Sequence, residues 1–170
     1  MTDAPRAAHG AYTTHGTPHG STSLTPHIVV SDATRAIEFY RAVFDAKVVD
    51  VTRMGAVVAH AVLAFSQGQL TLSDALDAYE LAAPATTGPV YYSLAIYVSN
   101  ADAVVAKALA AGATLREPLS TFVSGDRYGS IRDPFGVRWA VMTRVEDLSP
   151  DESAARVAEW AKSAALQGAG

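Results

Sequence analysis

The chain contains no cysteine, which removes disulfides, thiolate metal sites and thiol nucleophiles together. It has no apolar run approaching the length that crosses a bilayer, and its first 23 residues lack the charged start and apolar centre of a secretory signal. Positive charge is also scarce and nowhere concentrated: 13 Lys and Arg stand against 17 Asp and Glu, a formal net charge of −4. Without a basic stripe, neither nucleic acid nor an anionic membrane surface is expected as a partner. A cytoplasmic setting is expected. What remains is 170 residues of 49% hydrophobic content, enough for one proper core and better suited to one domain of two modules than to two independent domains.

The chain says one thing twice. Val30-Ser31-Asp32-Ala33 ends a short apolar run and opens a helical pattern, and Val98-Ser99-Asn100-Ala101 does so again 68 positions later. The same offset carries Gly68 onto Gly136 and His60 onto Tyr128, both in strand-like segments. Two copies of a β-α-β-β-β unit explain this most simply, and a doubled unit of this size is expected to place a shared cavity between its halves.

Residues 1–23, rich in Gly, Ala, Thr, Pro and His, read as a disordered tail in which His9, His15 and His19 could bind a stray transition metal weakly. Module one is expected over 24–74, a connector over 75–89 and module two over 90–148. In module one a strand at 25–30 leads into a helix capped by Ser31 or Asp32, with Ala33, Ala36, Ile37, Tyr40 and Phe44 on one stripe. Asp45 and Gly112 both suit a left-handed turn after their helices. Strands follow near 47–52, 57–65 and 69–73, and module two repeats the order with strands at 90–98, 114–121, 128–132 and 137–143 around a helix at 101–111. Asp133-Pro134-Phe135-Gly136 carries a type I turn signal. Ser149, Pro150 and Glu152 announce a capping box, so a C-terminal helix and tail fill 149–170, with Trp160 on an apolar face that must pack somewhere.

Several of these segments carry a resemblance. Thr25-Pro26-His27-Ile28-Val29-Val30, Ala36-Ile37-Glu38-Phe39-Tyr40, Gly125-Asp126-Arg127-Tyr128-Gly129 and Asp133-Pro134-Phe135-Gly136 with Trp139 resemble the vicinal oxygen chelate superfamily. Within it the chain is most similar to the PhnB-like glyoxalase/bleomycin-resistance branch, a likeness that Glu146 to Pro150 extends. The resemblance implies an α+β fold: two βαβββ modules whose mixed, curved sheets surround a cavity. That superfamily contains metal-dependent isomerases, dioxygenases and antibiotic-modifying transferases, and also metal-free proteins that sequester drugs, so the fold does not choose a reaction.

It also implies four ligand positions facing one cavity, on the first and last strand of each module. His27 occupies the first of them, but the repeat maps it onto Ala95. Ala140 stands where metalloenzymes carry a carboxylate, and its module-one counterpart is Thr71 or Leu72. A stable Zn, Fe or Mn site wants three or more nitrogen or oxygen donors. No cofactor is therefore expected; the alternative is a divalent metal such as Zn, Fe, Mn or Ni on His27 and His60, with a chelating substrate completing its shell. No nucleophile-base set or carboxylate pair stands out, and general acid or base work by His27 or His60 rests on residue type alone.

The expected cavity wall is apolar and aromatic with polar tips: His27, Val29, His60, Tyr97, Arg138 and Met142 as ligand-binding residues, with Val58, Val62 and Tyr91 or Tyr92 nearby and Tyr79 on the connector. Arg138, if buried, suits a carboxylate or phosphonate. Strand alternation turns Trp139 toward the helix layer, and Asp126, Arg127 and Arg132 read as structural. The expected function is a homodimeric binding protein that sequesters a small organic or antibiotic-like molecule without metal. The alternative is a divalent-metal-dependent lyase, isomerase or dioxygenase.

Overall fold

In the computed structural model, which describes residues 6–167, both repeated openings start a helix. The first five residues of the expected tail and residues 168–170 of the expected C-terminal tail lie outside the described residues. Asp32, not Ser31, caps α1 (Ala33–Phe44), its side chain accepting from the Arg35 amide at 3.0 Å. Asn100 caps α2 (Ala101–Ala110) in the same way through the Ala103 amide at 3.0 Å. The repeat reaches a second hydrogen bond at each helix start. Asp74 Oδ1 accepts from the Ala33 amide and Thr143 Oγ1 from the Ala101 amide, each at 2.8 Å. The left-handed residues fall where expected, Asp45 at φ 55° and Gly112 at φ 97°.

The chain divides into two compact units, Met1–Ala83 and Pro84–Gly170. The first holds a two-stranded hairpin, β1 (Thr13–Thr14) and β2 (Thr17–Pro18), inside the segment expected as a tail. His15 and Gly16 make its turn, both at positive φ, the backbone that a two-residue hairpin loop of the I′ type requires. Then come β3 (His27–Val30), α1, β4 (Lys47–Met54), β5 (Val57–Ala64) and β6 (Gln69–Asp74). The four longer strands form a sheet in the order β3-β6-β5-β4, with β3 parallel to β6 and the other pairs antiparallel. The expected stripe of α1 is buried throughout, with Phe39 and Val43 added, against Ile28, Val30, Leu63 and Leu72 of the sheet.

The second unit repeats this plan with β7 (Ser93–Tyr97), α2, β8 (Thr114–Thr121), β9 (Asp126–Arg132) and β10 (Arg138–Arg144), ordered β7-β10-β9-β8. Again one pair, β7 and β10, is parallel. Ile131, Val137, Trp139 and Val141 are buried with Val105 and Ala108 of α2, and the Trp139 indole donates to Asp133 Oδ2 at 3.0 Å. Trp139 thus belongs to the core, as alternation requires. The chain ends its described part in α3 (Pro150–Gln167). The capping box there closes in both directions, Ser149 N to Glu152 Oε2 at 2.9 Å and Glu152 N to Ser149 Oγ at 3.2 Å. Trp160 packs within its own unit, edge-on against Phe122 at 4.9 Å between ring centres, and stays half exposed.

Candidate functional site

Parallel pairing of β3 with β6 sets His27 opposite Thr71 and Val29 opposite Ser73, on the sheet face that α1 does not cover. His27 Nδ1 lies 2.9 Å from Thr71 Oγ1 and Nε2 lies 3.3 Å from Ser73 Oγ. Both ring nitrogens thus meet hydroxyls. His60 on β5 brings its ring parallel to that of His27, 6.0 Å away with planes 2° apart. A cleft of about 350 Å³ opens here, walled by both histidines with Met54, Ala59, Leu76, Tyr79 and Leu81. The connector supplies the last three: Leu76 and Leu81 bridge to each other across a single 3-10 turn at Asp77–Tyr79.

Val58, expected beside His60, is instead fully buried, and its amide donates to Asp74 Oδ2 at 2.7 Å. The cause is a bulge in β5: consecutive Thr52 and Arg53 pair with His60 and Val58, which leaves Ala59 as the extra residue and breaks the alternation that put the two side chains on one face. Val29 shares His27's face, half-buried.

The other expected site residues belong to the second unit. There Arg138, Ala140 and Met142 share the face opposite α2, with Ser93, Ala95 and Tyr97 beside them in register. Tyr97 Oη donates to Asp126 Oδ1 at 3.2 Å, and that carboxylate also pairs with Arg144 at 3.0 Å. Arg127 forms an ion pair with Asp102 of α2, and Arg132 donates to the carbonyls of Thr86 and Gly88. All three of Asp126, Arg127 and Arg132 brace structure, as expected. Arg138 is tied to a group that alternation had not signalled. Its Nη2 pairs with Glu117, whose Oε2 also accepts from Ser130 Oγ at 2.5 Å and from Tyr128 Oη. These bonds, led by that from Ser130, hold the Glu117 carboxyl below its usual range, while burial and then Glu117 raise the Tyr128 phenol.

The register also settles the counterpart of Ala140. His27 pairs with Thr71 as Ala95 pairs with Ala140, so the four positions hold one imidazole, one hydroxyl and two methyl groups. Among the described residues no three of His, Cys, Asp or Glu come close enough to hold a metal ion. His27 has both nitrogens on hydroxyls, and Ala95 and Ala140 offer no donor, so this donor set does not fit a metal held by three protein side chains.

Burial first, and His60 second, lower the His27 pKa below its ordinary 6.5. A lowered value means that the fold favours neutral imidazole, so the stability it contributes is whole above pH 6.5 and drains away as pH falls from there through the folded value. Urea midpoints should therefore fall between about pH 7.5 and about pH 5.5, and the difference should shrink in His27→Asn. An undiminished difference in that variant would assign the acid sensitivity elsewhere.

Comparison with known proteins places these features in company. The family model described as the Glyoxalase/Bleomycin resistance protein/Dioxygenase superfamily matches residues 20–141. Rv0887c of Mycobacterium tuberculosis is 34% identical over 137 residues, covering 76% of this chain and 79% of its own. Among solved structures, PA1353 from Pseudomonas aeruginosa aligns with a TM-score of 0.60 at 20% identity, over 73% of this chain and 98% of that one. The PhnB protein from Bacillus cereus, named as a putative 3-demethylubiquinone-9 3-methyltransferase, aligns with a TM-score of 0.57 at 20% identity, over 72% of this chain and 99% of that one.

Proposed function

Because the chain belongs to the glyoxalase/bleomycin resistance protein/dioxygenase superfamily, we propose that it binds a small organic, antibiotic-like molecule at the His27–His60 cleft without a metal and without altering it. The observation that carries this reading is the make-up of that cleft. Two of its walls are parallel imidazoles, and His27 is biased to the neutral form with both nitrogens on hydroxyls. Its rim is a thioether, two leucines and a phenol. Such a surface offers flat contact and few charges, which favours an apolar or aromatic guest. The volume of about 350 Å³ sits at the small end of the range for ligand pockets.

A panel of aromatic compounds should raise the melting temperature of protein stripped with chelator. For a guest at a hundred times its Kd the expected stabilisation is about 2.7 kcal/mol. His27→Ala and Tyr79→Ala should each reduce the shift. Elemental analysis of a variant with His9, His15 and His19 replaced by Ala keeps the N-terminal imidazoles from reporting adventitious ions. Stoichiometric Zn, Fe, Mn or Ni in that variant, or binding seen only after metal is added, would sink the metal-free reading in favour of metal-dependent lyase, isomerase or dioxygenase chemistry.

A further inference from the structure

The hydroxyls beside His27 fix which of its nitrogens carries the hydrogen. Ser73 is fully buried, and the one acceptor its hydroxyl meets among the described residues is His27 Nε2, at 3.3 Å. A buried hydroxyl left without an acceptor is costly, so Ser73 donates and Nε2 is the bare, accepting nitrogen. In the neutral ring Nδ1 then carries the hydrogen and donates it to Thr71 Oγ1 at 2.9 Å. Thr71 in turn donates to the Pro26 carbonyl at 3.1 Å. Each of the three hydrogens has its own acceptor, and the opposite tautomer would strand that of Ser73. His27 therefore has no nitrogen left for a guest.

His60 does have one. Its imidazole lines the same cleft and makes no side-chain hydrogen bond among the described residues. The two rings are parallel within 2° and 6.0 Å apart between centres, whereas a ring inserted between them would need about 7 Å, two contacts of about 3.5 Å each. A flat guest therefore lies along the edges of the pair, and the edges are where imidazole nitrogens lie. The other polar side chain on the cleft is Tyr79, which is 69% exposed and sits on the connector's single 3-10 turn. His60 is carried instead by β5, a strand paired on both sides, so a bond to it costs less ordering. A hydroxyl both donates and accepts, so it meets a neutral imidazole in either tautomer, while a bare hydrocarbon meets neither nitrogen.

Resting on the reading of this cleft as a small-molecule site, we infer that its guest is an uncharged aromatic bearing a hydroxyl, and that His60 selects it by hydrogen-bonding that hydroxyl. Thr71 and Ser73 are positioning residues for His27, which gives the guest a ring to lie against and no hydrogen bond. The apolar body of the guest lies toward Met54, Leu76 and Leu81. An aromatic without the hydroxyl leaves the His60 nitrogens covered and unmet, which is how such a site rejects it.

Calorimetric titration of 2-naphthol and of naphthalene into the full chain tests this. 2-Naphthol should bind about fivefold more tightly or better. His60→Phe, which keeps a flat ring, should erase that preference, and Tyr79→Phe should retain it. Nitrogen NMR of the imidazoles in the unmutated chain gives a second measurement. There 2-naphthol should move the His60 ring nitrogens to saturation and move those of His27 less, and the bare nitrogen of His27 should be Nε2. Binding of neither compound would sink the cleft reading and this inference together. Binding of both without preference, a preference kept in His60→Phe or lost in Tyr79→Phe, a larger shift at His27 than at His60, or a bare Nδ1 on His27 would overturn this inference alone.

Discussion

Replacing Asp133 by alanine is expected to lower the unfolding free energy by about 3–5 kcal/mol, among the largest effects of any single polar residue here. The reason is how many buried donors converge on one carboxylate. Oδ1 accepts from the Phe135 and Val137 amides, each at 2.9 Å, and Oδ2 accepts from the Trp139 indole at 3.0 Å. Asp133 and Trp139 are each only 3% exposed, so water cannot take over freely when the acceptor goes. Alanine strands three donors at once, and each buried donor left without a partner costs about 1–3 kcal/mol. Asparagine is the informative control. Its oxygen can keep the two amides, but its NH₂ group faces the indole N–H, donor to donor, so a loss of about 1–3 kcal/mol is expected. Urea denaturation of both variants measures this, and a loss under 1 kcal/mol for the alanine variant, by about the error of such work, would show that the turn does not depend on the carboxylate.

Gly136→Ala should be nearly as damaging, while Gly68→Ala, at the matching place in the other unit, should be mild. Both glycines have left-handed backbone, φ 93° and 90°. For either, alanine carries a conformational strain of about 1–2 kcal/mol. The surroundings differ. A Cβ on Gly136 would stand 2.6 Å from the Ala85 carbonyl oxygen and 3.1 Å from that of Pro84, whereas one on Gly68 meets nothing within 4 Å. Backbone cannot swing aside as a flexible side chain does, so a total of about 3 kcal/mol or more is expected at Gly136. Equal urea midpoints for the two variants would mean that the Pro84–Ala85 strap yields without cost.

The repeat was the most legible property of the chain, because helix caps and left-handed turns have short-range causes. Asp32 and Asn100 announce their helices within a few residues, and Gly68 and Gly136 sit where no other residue fits the backbone as well. His27 and His60 were readable as candidates, since imidazoles on a predicted inner face are few. Their company was not. Thr71 and Ser73 come under His27 through a parallel pairing of strands more than forty residues apart, and no local pattern reports such a register. Glu117 was hidden for a different reason. A register shift between Leu115 and Glu117 sets Leu115 opposite Ile131 and Glu117 opposite Ser130, so two residues that strict alternation puts on one face lie on different ones. Val58 misled by the same device in the other unit.

The connector has a consequence for how such a protein could arise and be rearranged. Its early part is fastened by the Leu76–Leu81 bridge, and its later part by the guanidinium of Arg132 on Thr86 and Gly88. Between these two clasps the polypeptide passes from Ala83 to Pro84, where one unit ends and the other begins. Gene recombination at that junction would shuffle whole β-α-β-β-β blocks between kindred sequences and leave each block's own fastening intact.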